Sequence, residues 1–155
     1  MEDSNFDLIE EFKSEDIMSV NHSRLIQKIG VALEKFDDQY DILPELELEL
    51  ISKKIKPDIS IYANLKFDWL NDIIFFDQPP ITAIEILSPK QALTDLTDKI
   101  FEVYFPAGVK SVWIIIPPLK TLHIFTPDKA MLSFTKGKVK DETTGIEIVL
   151  ENIFK

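Results

Sequence analysis

The apolar positions change period twice in the first part of the chain. Leu25, Ile29, Leu33 and Phe36 recur at steps of four, four and three. That is the stripe of an amphipathic helix, which Ser19 or Asn21 can cap and which ends near Asp37 and Asp38. Leu46, Leu48 and Leu50 then alternate with Glu45, Glu47 and Glu49, the period of a strand with one wet face. Lys53 and Lys54 mark a turn. Ile55 to Tyr62 reads as a second strand, with Ile55, Ile59 and Ile61 on one face and Asp58, Ser60 and Tyr62 on the other. Pro57 cannot donate to a ladder, so it belongs near the start of that strand.

Residues 63–80 are mixed and read as a loop, with a short apolar element at Ile73 to Phe76 that forms a lid or a packing flap. Ile81 to Leu87 is a nearly continuous apolar run of strand length, the pattern of a strand buried on both faces. Ser88-Pro89 ends it. A helix follows from about Thr94, with Leu93, Leu96, Ile100 and Val103 on one stripe, stopping before Pro106 and leaving through Ala107-Gly108. Val109 to Ile116 and Thr121 to Thr126 read as further strands around the Pro117-Pro118 turn, and residues 131–135 and Gly145 to Leu150 suit short strands. This order predicts an α/β (α+β) domain with a mixed sheet and helices packed on it. It divides into an acidic lead-in over 1–16 and one domain over 17–155.

The composition narrows the chemistry. The 155 residues suit one core, to which eleven Phe and two Trp contribute large apolar groups. There is no cysteine, which removes disulfides, thiolate metal sites and thiol nucleophiles. No apolar run approaches the ~20 residues of a membrane span, and the acidic N-terminus does not read as a signal peptide. A cytoplasmic protein is expected. With 17 Lys and Arg against 27 Asp and Glu, a net charge of −10 excludes a general nucleic-acid coat. Any such surface must be local, with Lys53, Lys54, Lys56 and Lys90 as candidates.

Glu85 is the costly residue. A carboxylate inside a buried strand must be paired, protonated or bound to a cation. The plain reading is a buried ion pair with Lys or Arg. The sharper one joins Glu85 to Asp58 on a neighbouring strand, two oxygen donors for a hard divalent ion. Lys99, beside the apolar stripe of the second helix, can lay its stem along the core and bring its ammonium to the sheet, although Asp95 offers it a surface partner. His22 and His123 read as surface or packing residues, with His22 able to face a cleft. Tyr104 and Trp113 read as packing residues, and Ser88 as a strand end.

The blocks Lys56-Pro57-Asp58-Ile59-Ser60-Ile61, Ile84-Glu85-Ile86-Leu87-Ser88-Pro89, Asp95-Leu96-Thr97-Asp98-Lys99, Tyr104, Ala107-Gly108-Val109 and Val112-Trp113-Ile114-Ile115 closely resemble the Uma-two family of the PD-(D/E)XK nuclease superfamily. The resemblance covers roughly residues 20–155. It implies a restriction-endonuclease-like mixed sheet flanked by helices. It also implies that Asp58 and Glu85 bind Mg²⁺ or Mn²⁺, with the Ile86 carbonyl and Glu45 as further ligands, and that Lys99 replaces the lysine usually found two residues after the second acid. Here Leu87 holds that position. The function implied is a metal-dependent endonuclease acting on DNA, with a homodimer expected because related folds pair to reach two strands; apolar groups near Phe75 and Phe76 either form that contact or cover the core. The alternatives are an inactive binding or assembly module and a metal hydrolase other than a nuclease.

Overall fold

The computed structural model describes residues 18–155. The expected lead-in over 1–16 lies outside them. Ser19 starts the first helix, α1 (Val20–Leu33), by accepting the His22 backbone N–H at 3.2 Å. Leu25, Ile29 and Leu33 are buried along its stripe.

Six strands form the central sheet. They are β1 (Asp41–Pro44), β4 (Ile59–Tyr62), β5 (Thr82–Ile86), β6 (Ser111–Ile116), β7 (Thr121–Phe125) and β8 (Met131–Phe134), in the order β1-β4-β5-β6-β7-β8. Only β5 and β6 run parallel. The chain between them makes the crossover, through α2 (Leu93–Lys99), a π-helical turn (Ile100–Tyr104) and α3 (Phe105–Ala107). Two hairpins stand apart as separate sheets: β2 (Leu48–Leu50) with β3 (Lys53–Ile55), and β9 (Lys138–Lys140) with β10 (Glu147–Val149). A final turn of helix, α4 (Leu150–Ile153), follows. No helix among the described residues is long and apolar enough to cross a membrane.

The sheet separates two cores. On one side Leu25, Ile29 and Leu33 of α1 meet Ile59, Ile61, Ile84, Ile86 and Trp113, with the β9–β10 hairpin and α4 closing the layer. On the other, Leu96, Ile100 and Tyr104 meet Ala83, Val112 and Ile114, along with Leu48, Leu50 and Ile55 of the β2–β3 hairpin. Period two along β5 puts Ile84 and Ile86 on the first side, and Ala83 and Glu85 on the second. This is the mixed sheet flanked by helices that the hydrophobic pattern predicts.

Several boundaries differ from the sequence reading. The hairpin turns at Ile51 and Ser52, both at positive φ (44° and 63°), rather than at Lys53-Lys54, which lie in β3. The segment Ile55 to Tyr62 is broken at Lys56-Pro57-Asp58, and Pro57 indeed precedes β4. The edge strand β1 and the hairpin strand β9 were not anticipated. Phe76 belongs to the core: its backbone exchanges hydrogen bonds with Glu47 and Glu49, and its ring meets Tyr62 edge-on at 5.5 Å. Lys54 sits over the Phe75 ring. The exposed apolar groups of this loop are Phe67, Trp69, Leu70, Ile73 and Ile74 instead.

Asp141 ties the β9–β10 hairpin to the sheet. At 1% exposure it accepts hydrogen bonds from Ser111 Oγ (2.6 Å) and Trp113 Nε1 (2.8 Å), and Ser111 in turn takes the Thr82 hydroxyl at 2.7 Å. Removing one carboxylate would leave two buried donors without an acceptor, each costing about 1–3 kcal/mol. Asp141→Ala should therefore lower unfolding stability by roughly 2–6 kcal/mol, read from urea denaturation followed by tryptophan fluorescence. A loss below ~1 kcal/mol would show that the network is not a fastening.

Candidate active site

Glu85 sits on the central strand β5 with 4% of its surface exposed. The β4–β5 register pairs Ile59 with Ile84 and Ser60 with Ala83. Continued by one residue, it places Asp58 opposite Glu85. Asp58 immediately precedes β4, and the ladder with β5 stops at the Ile59–Ile84 pair. The Ile86 N–H would then lack a backbone acceptor, and the Asp58 carboxylate takes that place: Oδ2 accepts it at 2.7 Å. The Asp58 carbonyl accepts the Glu45 N–H at 3.0 Å, which holds the exit of β1 against the same point.

The crossover supplies two further groups. Lys99 Nζ lies 3.3 Å from Glu85 Oε2, and the Tyr104 hydroxyl donates to the same oxygen. In an α-helix, positions five apart diverge by roughly 140°, because each residue turns ~100°. A π-turn closes on i→i+5 hydrogen bonds and brings such positions back to one face. The π-turn at Ile100–Tyr104, immediately after Lys99, is thus what lets both side chains meet one carboxylate.

Burial pushes the Glu85 carboxyl up to about 7, and the negative charge of Asp58 adds to the rise. The Lys99 ammonium and the Tyr104 hydroxyl pull the other way and do not cancel it. Asp58 has a second partner on its other oxygen: His22 Nε2 stands 2.7 Å from Oδ1, with the histidine 2% exposed.

The structure therefore brings Asp58, Glu85, Ile86 and Lys99 together. It adds Tyr104, which the sequence reads as a packing residue, and His22, which it reads as a surface or packing residue able to face a cleft. His22 had a readable signal, since it lies three residues before Leu25 on the buried stripe. Glu45 reaches the site through its backbone, and its side chain is exposed. Leu87 packs at the margin of the second core, where a motif lysine would stand. His123 joins Thr121 and Ser133 near the sheet edge, away from this group.

Beside Lys99 opens a cleft of ≈ 470 Å³ between the β2–β3 hairpin and the crossover helix. Lys53, Lys54, Lys56 and Lys99 line it, facing Glu47, Asp95, Asp98 and Glu102. Its charge is balanced rather than positive, and Lys90 does not line it. Of the clustered groups, Lys99 is the one that reaches both the buried carboxylate and the cleft wall.

The donor chemistry suits a hard divalent ion. The negative charge of Asp58 beside the buried Glu85 carboxyl is a repulsion that a cation would relieve, and Mg²⁺ often takes only one or two protein carboxylates. Among the described residues no three His, Asp or Glu side chains form a closed metal cage. A cation here would thus rest on two carboxylates, with carbonyl, solvent or substrate oxygens completing its shell.

Residues 10–152 match the Uma2 family, described as "Putative restriction endonuclease". The chain belongs to the Uma2 family. Among solved structures, the Uma2 chain is similar to "a putative nuclease belonging to DUF820 from Anabaena variabilis", with a TM-score of 0.73 and 21% identity over 89% of this chain and 82% of that one. At that identity the likeness shows the fold. No curated protein matches.

The shifted carboxyl has a stability consequence. Between pH 4.5, the ordinary value for Glu, and about 7, the folded chain holds the Glu85 proton more tightly than the unfolded chain. The native state binds more protons in that window, so this contribution to stability falls as pH rises through it. In chelator-treated buffer, the stability of the wild type relative to Glu85→Gln should decline from pH 4.5 to about 7. A difference that stays flat or climbs would contradict the buried, proton-retaining state. Tyr104→Phe removes a donor that favours the charged form, so the Glu85 carboxyl resonance should titrate at higher pH in that variant; an unchanged or lower midpoint would show that the hydroxyl does not act on the carboxylate.

Proposed function

We propose that this Uma2 protein is a metal-dependent endonuclease that hydrolyses phosphodiester bonds of DNA. The observation that carries the reading is the buried Glu85 carboxylate, placed across the register from Asp58 and joined by Lys99 to the wall of a cleft. Membership of a family described as "Putative restriction endonuclease" supports the reaction class.

In this reading Asp58 and Glu85 hold Mg²⁺ or Mn²⁺, with the Ile86 carbonyl as a further ligand and Glu45 as an outer one. When bound, such an ion acidifies a water and stabilises negative charge on a phosphoryl group. The rest falls to side chains. Lys99 stands where a cation can offset charge on a phosphodiester lying in the cleft, and it takes over the role of the lysine that Leu87 replaces. Tyr104 fixes the Glu85 oxygen that Lys99 also contacts, leaving the carboxylate little rotational freedom. Lys53 and Lys54 on the hairpin, and Lys56 just after it, are the phosphate contacts of the cleft wall. In this reading the protein is cytoplasmic, in keeping with a DNA substrate and a chain free of cysteine. Two strands to cut suit a homodimer, which sedimentation would test.

One observation favours a second reading. The cleft lysines face as many acids, and the chain carries −10 overall. A nuclease fold retained as a binding or assembly module would need no stronger phosphate surface.

Calorimetric titration with Mn²⁺ and cleavage of supercoiled plasmid separate the readings. The wild type should bind Mn²⁺ and nick plasmid, and the Asp58→Ala, Glu85→Ala double variant should do neither. Lys99→Ala should retain the ion and lose roughly 10²–10³-fold in cleavage rate, as for removal of one charge-stabilising donor. Equal Mn²⁺ binding by wild type and double variant would remove the site. Metal binding without cleavage would favour the module.

A further inference from the structure

We propose that His22 is a positioning residue that orients the Asp58 carboxylate for cation binding. The assignment rests on the reading of Asp58 and Glu85 as a cation-binding pair.

The acceptor chemistry of a carboxylate sets the direction of the contact. An ionised carboxylate can only accept, so the Nε2 that stands 2.7 Å from Asp58 Oδ1 carries the hydrogen and donates it. The opposite oxygen accepts the Ile86 N–H, also at 2.7 Å. The two donors come from different layers of the fold: one from the first turn of α1, the other from the central strand β5. Together they hold both ends of the carboxylate. Each oxygen keeps a second lone pair for a ligand. With His22 removed, a single donor would remain, and the terminal torsion of an Asp side chain is broad and soft.

The placement of the ring has a cost that packing does not explain. His22 Nδ1 is buried with no hydrogen-bond partner among the described residues. An apolar ring would fill the same space without leaving a polar atom unsatisfied. What the imidazole offers over such a ring is its Nε2 donor, aimed at Asp58. The Ser19 cap holds the backbone of residue 22 in the first helical turn, so the ring is presented from a fixed point. Hydrogen-bonding partners behind metal ligands are general to metal sites, and losing one commonly costs 10–100-fold in metal affinity.

The test compares two replacements that differ in the donor. His22→Phe keeps an aromatic ring at the position and deletes the N–H, while His22→Gln restores an N–H of similar reach. In calorimetry with Mn²⁺, His22→Phe should bind about 10–100-fold more weakly than wild type, and His22→Gln should recover at least part of the loss. Wild-type affinity in the Phe variant, or an equal loss in both variants, would overturn the proposal. A wild type that binds no Mn²⁺ would overturn the cation-pair reading and this assignment with it, whereas a wild type that binds, lost in the Asp58→Ala, Glu85→Ala variant but not in His22→Phe, would overturn this assignment alone. Should the Phe variant fail to fold, nitrogen NMR of the wild type decides. The His22 Nε2–H should persist at saturating Mg²⁺ and its resonance should move with occupancy; an unmoved resonance or loss of the Nε2 proton would reject the role.

Discussion

The organisation of this molecule depends on keeping one carboxyl group dry. Glu85 occupies a strand flanked on both sides, between two apolar layers, where a charge without compensation is untenable. The fold answers with an ammonium and a phenol from one element, and with a proton held well above the ordinary range for a glutamate. Core packing alone would place Leu or Ile at this position. That a carboxyl stands there links the packing of the domain directly to its chemistry.

The crossover shows how backbone irregularity is used. A regular α-helix from Leu93 to Ala107 would aim Lys99 and Tyr104 in different directions. One π-turn realigns them, and it does so while Leu96, Ile100 and Tyr104 all remain in the core. The same economy operates at Asp58. The ladder with β5 stops at the Ile59–Ile84 pair, and the Asp58 side chain occupies the acceptor position that the backbone has vacated. At both places, a departure from regular geometry delivers a polar group to the site.

Much of the fold was readable because burial imposes period. The stripe of α1 and the continuous runs of β5 and β6 follow from which faces are covered, and Glu85 stood out as a charge within such a run. Asp58 and Lys99 were less conspicuous, since each has an ordinary surface explanation that only the joint arrangement displaces. His22 and Tyr104 share the spacing of their neighbours' buried stripes, so period alone could mark them as interior but not as partners of specific carboxylates 36 and 19 residues away. The π-turn has no compositional signature. The Ile51-Ser52 turn was missed because it lacks the Asn or Gly usual at positive φ. Strand β1 is four residues long at a sheet edge and ends in Pro44, too short and too mixed to show alternation.

The β2–β3 hairpin has a consequence of its own. It is a separate two-stranded sheet, laid over the crossover side of the domain and carrying two of the four lysines that line the cleft, Lys53 and Lys54. Its exposed positions take no part in the six-stranded ladder or in the hydrogen bonds around Glu85. Substitutions there can remodel the rim of the cleft while the buried carboxyls keep their surroundings. Among relatives sharing this scaffold, recognition and reactivity can therefore drift at different rates, with the hairpin free to diversify and the strand behind it constrained by every neighbour it touches.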